Sequence, residues 1–127
     1  MSLAQKNPYT KYEDHSVFTA PKEELTLMLY DGALKFVNQA IIATENKNFS
    51  KANDLIMRVE AIIQEFQLTL DFKYEVSNDL NKIYDYMYWK LIDANMKKDL
   101  EALHEVRDMI RDMRDTWKEA MKMAKTD

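Results

Sequence analysis

From Leu25 onward, apolar residues recur in alternating steps of three and four, the spacing of one face of an α-helix. Ala52, Ile56, Val59, Ile63, Phe66 and Leu70 form the clearest run, widened by Leu55 and Ile62. Val76, Leu80, Ile83, Met87, Leu91 and Ala94 repeat it, and Leu103, Val106, Ile110, Met113, Trp117, Ala120 and Ala124 repeat it again. A first helix over about 21–45 precedes these three. Thr19 can cap its free amides, Pro21 suits its first turn, and Glu23 and Glu24 lie near the positive end of its dipole. Glu45-Asn46-Lys47-Asn48 is a polar turn, with Ser50 placed to cap the second helix. The pattern breaks near Asp71-Phe72-Lys73, Asn95 is placed to end the third helix, and the fourth starts by Asp99. Four periodic segments on short links predict an all-α, antiparallel up-down four-helix bundle, a single domain over 19–127. Residues 1–18 lack the period, contain Pro8, Tyr9, Tyr12 and Phe18, and read as an extended N-terminal arm.

Two features exceed what a bundle requires. The first helix carries two apolar stripes: Leu25, Leu29, Ala33, Phe36 and Ala40, and, rotated by roughly 120°, Leu27, Tyr30, Leu34, Val37 and Ile41. Either neighbours pack on both sides of a central helix, or one stripe faces the core while the other lines a groove for a partner. Gly32, in mid-helix, fits a close approach of another backbone. In the third helix, Tyr84, Met87 and Tyr88 lie near the inward face, whereas Tyr86 and Trp89 point among Lys82, Asp85 and Asp93. Aromatic side chains on a charged face either pack beneath the arm or the fourth helix, or serve as binding anchors. The chain also has nine methionines, flexible side chains that fill core gaps or suit a surface that repacks around different helices. Met87 and Met113 fit the first use; Met28, Met109 and Met123 sit off the main stripes.

Composition narrows the chemistry. One Gly and two Pro in 127 residues leave few breaks, and 46% hydrophobic with 31% charged residues is an ordinary globular balance. A net charge of −4 provides no basic field for nucleic acid or for acidic membranes. The absence of cysteine excludes disulfides and thiol chemistry, and the N-terminal residues lack the apolar run of a signal peptide, so a cytoplasmic protein without membrane insertion is expected. Glu101 and His104 have the Glu-x-x-His spacing of di-iron bundles, but the second such motif is missing, so no metal or cofactor is expected. No phosphate loop, nucleophile elbow or zinc spacing occurs, and no catalytic residue is assigned. A generic helical adaptor or dimerisation module with another protein as partner, or a homodimer of this chain, is one reading consistent with these features.

Four runs carry a further signal: NPYTKY (7–12), LTLMLYDGALKFVNQA (25–40), IYDYMYWKLIDANMKKD (83–99) and RDTWKEA (114–120). Together they resemble the flagellin-specific export chaperones of bacteria, from Asn7 to about Met121. The resemblance implies a cytoplasmic helical bundle that binds the C-terminal helical segment of flagellin, prevents premature polymerisation and presents it to the flagellar export gate. It also implies that Tyr9 and Tyr12 belong to an arm that docks on the gate and covers the groove. Leu29, Tyr30 and Phe36 match the first-helix motif, Tyr84, Tyr86 and Met87 the third, and Trp117 the fourth. One departure is Pro21, which stands one position earlier than the family's Thr-Ala-Ser/Thr-Pro pattern and is followed by Lys22. The partner-binding residues expected from pattern and resemblance together are Tyr9, Tyr12, Leu27, Tyr30, Leu34, Val37, Ile41, Tyr86 and Trp89.

Overall fold

Four helices, α1 Lys22–Glu45, α2 Phe49–Leu68, α3 Val76–Lys97 and α4 Leu100–Thr126, make up the protein in a computed structural model that describes residues 22–126. The arm and the Thr19-Ala20-Pro21 helix start lie outside the described residues. α1 packs on both α2 and α4, α2 on α3, and α3 on α4, so the antiparallel helices close into a ring. The periodic positions meet at its centre: Val37, Ile56, Val59, Ile63, Met87, Leu91, Leu103, Val106 and Ile110 are fully buried.

The helix ends follow from local hydrogen bonding. After α1, Lys47 adopts a left-handed conformation (φ 61°), its N–H donates to the Thr44 carbonyl (3.0 Å), and the Asn48 N–H donates to that of Ala43 (2.8 Å). This pair satisfies carbonyls that the helix end would leave orphaned. The Asn48 side chain then accepts from the Lys51 N–H (3.3 Å), so Asn48, not Ser50, caps α2. Asn95 does not end α3 either. The chain turns at Lys98 (φ 51°), and Asp99 caps α4 by accepting from the Glu101 and Ala102 N–H groups (3.0 and 3.3 Å).

Asn95 has a different use. It donates to the Asn53 side chain at 2.8 Å, while Gln67 donates to the Asn81 side chain at 3.0 Å. These two carboxamide pairs fix the register of α2 against α3, since any slip would separate both at once. Glu60 lies midway between Asn53 and Gln67 on α2, one heptad from each, and is buried with its Oε2 unpartnered. Burial holds its carboxyl above the ordinary range.

The second stripe of α1 is not a free face. Tyr30, Val37 and Ile41 are buried in the core, and Leu27 and Leu34 are half-buried. The first stripe is covered as well, with Ala33 and Ala40 buried and Leu29 and Phe36 packed against the core. The physical reason is the ring itself: a helix with neighbours on two sides needs two apolar faces for its own fold. Val76 and Ile83, expected to point inward, are 58% and 37% exposed, and Ala120 and Ala124 are exposed on the last turns of α4.

Gly32 is not demanded by a close approach. A Cβ built there meets only the Ile62 Cδ1, at 3.8 Å, an ordinary contact. Gly32→Ala is therefore expected to stabilise the fold by about 1 kcal/mol, through the lower entropy of the unfolded chain. Thermal melting checks this, and a lowered midpoint would show a clash that the geometry does not contain.

Candidate partner-binding site

The antiparallel arrangement gathers the start of α1, the end of α2, the start of α3 and the last turns of α4 at one end of the bundle. There the side chains leave a chamber of about 440 Å³. Its walls are largely apolar: Leu70 from the α2–α3 link, Leu80 and Ile83 from α3, and Met113, Trp117 and Ala120 from α4. Lys22, Thr26, Thr69, Asp112 and Thr116 add a few polar groups. The volume and the mix of an apolar wall with sparse polar groups suit the insertion of side chains from another molecule.

An aromatic stack lines the chamber. The Phe66 ring lies 4.5 Å from that of Tyr30 and 5.4 Å from that of Tyr84. The two phenol oxygens meet at 2.7 Å. Burial pushes both phenols above their ordinary pKa, with the mutual hydrogen bond raising that of Tyr84 further, so both are neutral at physiological pH. Two clasps fix α4 against α1. The Trp117 indole N–H donates to the Glu23 carbonyl at 2.8 Å, and the Arg114 guanidinium donates to Asp31 at 3.2 Å. Trp117 thereby presents its ring to the chamber while its polar edge is satisfied.

A second exposed feature lies across α3 and α4. Tyr86 is 47% exposed and Trp89 60% exposed. The Tyr86 hydroxyl donates to the Glu105 carboxylate, which also pairs with Lys90 at 3.6 Å. The hydrogen bond to Glu105 holds the Tyr86 phenol above its ordinary pKa. Trp89 stands edge-on to Tyr88 with ring centres 5.3 Å apart. These two aromatics project from the surface, unlike Tyr30, Val37 and Ile41.

Of the residues expected to bind a partner, Tyr9 and Tyr12 lie outside the described residues. Tyr30 reaches the chamber from the core side, whereas Val37 and Ile41 do not line it. Sequence reasoning missed Phe66, Leu70, Leu80, Met113 and Trp117 as lining residues because each also reads as an ordinary core position. Two signals pointed there: the fourth-helix stripe, which runs on past Ile110 to Trp117 and Ala120, and the place of Trp117 in the RDTWKEA run.

Exposed apolar side chains are not confined to one side. Leu68, Phe72, Tyr74 and Val76 cluster in sequence around the α2–α3 link, with exposures of 81%, 54%, 59% and 58%. Met57 on α2 and Met96 on α3 are also exposed. Among the described residues no three His, Asp or Glu side chains converge to hold a metal ion, and no helix is long and apolar enough to cross a membrane.

Comparison with known proteins matches the sequence to one family. Residues 5–124 fit the family model described as the flagellar protein FliS. The flagellar secretion chaperone FliS of Bacillus subtilis is 43% identical over 125 residues, which cover 98% of this chain and 94% of that protein. Proteins of the same name from Escherichia coli and Salmonella typhimurium are 30% identical over 111 residues and 27% identical over 115 residues. Those alignments cover 85% and 84% of this chain, and 82% and 81% of the respective relatives. With its helical bundle and near full-length match, the chain belongs to the FliS family of flagellar secretion chaperones.

Proposed function

We propose that this protein binds the C-terminal helical segment of flagellin in the cytoplasm, prevents its premature polymerisation and delivers it to the flagellar export apparatus. The observation that carries this reading is the apolar chamber of about 440 Å³ at the end of a bundle whose family consists of flagellar secretion chaperones. A helical client has an apolar stripe of its own, which the chamber and the exposed side chains around it can cover. Those same client residues would otherwise make the helix–helix contacts of a filament. Occupying them blocks assembly without nucleotide or bond-making chemistry.

The exposed apolar groups lie on several helices, which favours a client wrapped over a long contact rather than held in one pocket. Such a contact has to offset an ordering penalty of about 2–5 kcal/mol if the segment is disordered before it binds. Tyr86 and Trp89 offer anchors on the α3–α4 face, and Leu27 and Leu34 offer lesser apolar area on α1. Tyr9 and Tyr12 of the arm are proposed to contact the export gate.

Calorimetric titration with flagellin tests the reading. Binding is expected with intact flagellin and expected to vanish when its C-terminal segment is removed. Equal binding by the truncated protein, or flagellin polymerisation unaffected by an equimolar amount of this protein, would refute it.

A further inference from the structure

The Tyr30–Tyr84 pair gives the chamber a polar feature that its apolar lining does not need. A phenol has one proton to donate and lone pairs with which to accept. The 2.7 Å contact between the two oxygens uses one of the two protons. The other proton has no further acceptor among the described residues, and the pair lies against Phe66, with Leu80 and Met113 also lining the chamber. If the pair served packing alone, two phenylalanines would fill the same space without burying two hydroxyls. What the pair supplies is one neutral donor beside acceptor lone pairs.

A side-chain carboxamide is the complement of that arrangement, because its carbonyl accepts and its amide donates. A carboxylate would have to be buried against apolar walls, and a helix's own backbone carbonyls are already paired within the helix. We propose that Tyr30 and Tyr84 are specificity-determining residues that read an Asn or Gln side chain set among the apolar positions of the client helix. This inference rests on the chamber being a docking site for the flagellin segment. An occupant with only aliphatic residues at that point would leave the phenol proton unpaired and bind less well.

The test uses the double variant Tyr30→Phe/Tyr84→Phe, which removes both hydroxyls together and leaves neither orphaned, so the fold should be retained. Titration with the flagellin C-terminal segment is expected to show about ten-fold weaker binding than wild type. Each Asn and Gln of that segment is then changed to Leu in turn. One such change is expected to weaken binding to wild type by a similar factor and to have no further effect on the double variant. Equal or tighter binding by the double variant would overturn the inference while leaving the docking reading intact. If the double variant failed to fold, the segment series against wild type would decide alone, and the absence of any Asn or Gln whose change weakens binding would overturn it. Failure of the segment to bind wild type at all would remove the docking reading, and this inference with it.

Discussion

Ile83→Asp is expected to weaken flagellin binding by about 100-fold or more while leaving the protein folded. Ile83 lines the chamber yet is 37% exposed, so in the free protein a carboxylate there can remain hydrated. Once a client helix covers the position, the same carboxylate must lose that water against a mostly apolar wall that includes Leu80, Met113 and Trp117, where Lys22 is the one cationic lining residue among those described and Asp112 a competing anion. The penalty therefore falls on the complex and spares the fold. Circular dichroism should show unchanged helicity, and titration should show the lost affinity. Ile83→Ala is the milder companion, removing apolar area without adding charge, and a loss of less than about ten-fold is expected for it. If Ile83→Asp bound flagellin as wild type does, the chamber would not be where the client lies.

A second large effect is expected at Glu60, on stability rather than binding. Its Oε2 is buried without a hydrogen-bond partner, between the two carboxamide pairs that hold α2 to α3. Burial raises its pKa in the folded state above the ordinary value of 4.5. The native protein therefore holds that proton more tightly than the unfolded chain does. Between the ordinary value and the raised one the native state binds more protons, so this group's contribution to stability is present at low pH and is lost as pH rises through the folded pKa. Glu60→Gln removes the charge and keeps the shape, and is expected to stabilise the protein at neutral pH by about 1–3 kcal/mol. The advantage should shrink in acidic buffer, where Glu60 is itself protonated. Urea denaturation of both proteins at neutral and acidic pH checks the sign and the window, and a difference independent of pH would show that ionisation of Glu60 is not the cause.

Much of the fold was legible because its determinants are local. The three- and four-residue steps mark which side of each helix turns inward, and they placed Ile56, Ile63, Leu91, Leu103 and Ile110 correctly in the core. The turns were located to within a few residues, but the capping groups were not. Asn48 rather than Ser50 holds the start of α2, and Asn95 faces another helix, because several polar residues in a turn compete and only backbone geometry decides between them.

The site was less legible, and the reason is general. The amount of apolar surface on α1 can be counted from its sequence, but whether α2 and α4 or a foreign helix covers it depends on closure of the ring. Tyr30, Val37 and Ile41 illustrate this: their spacing fits a groove as well as it fits a second core face, and they occupy the core. Tyr86 and Trp89 were easier, since aromatics set among charged neighbours on an exposed helical face have few places to bury. The chamber was invisible in the sequence because it joins four helix ends that are far apart along the chain. Glu60 sits on a regular heptad position, where nothing in its neighbours reveals an unpaired oxygen.

The most direct measurement is methyl NMR of the protein titrated with the flagellin C-terminal segment. Contacts from the segment to the Leu70, Leu80, Ile83 and Met113 methyl groups are expected, with large shifts at all four and little change at the deeply buried Leu103. Those four signals staying in place, while contacts arise only around Met57 or Met96, would contradict a client seated between the helix ends.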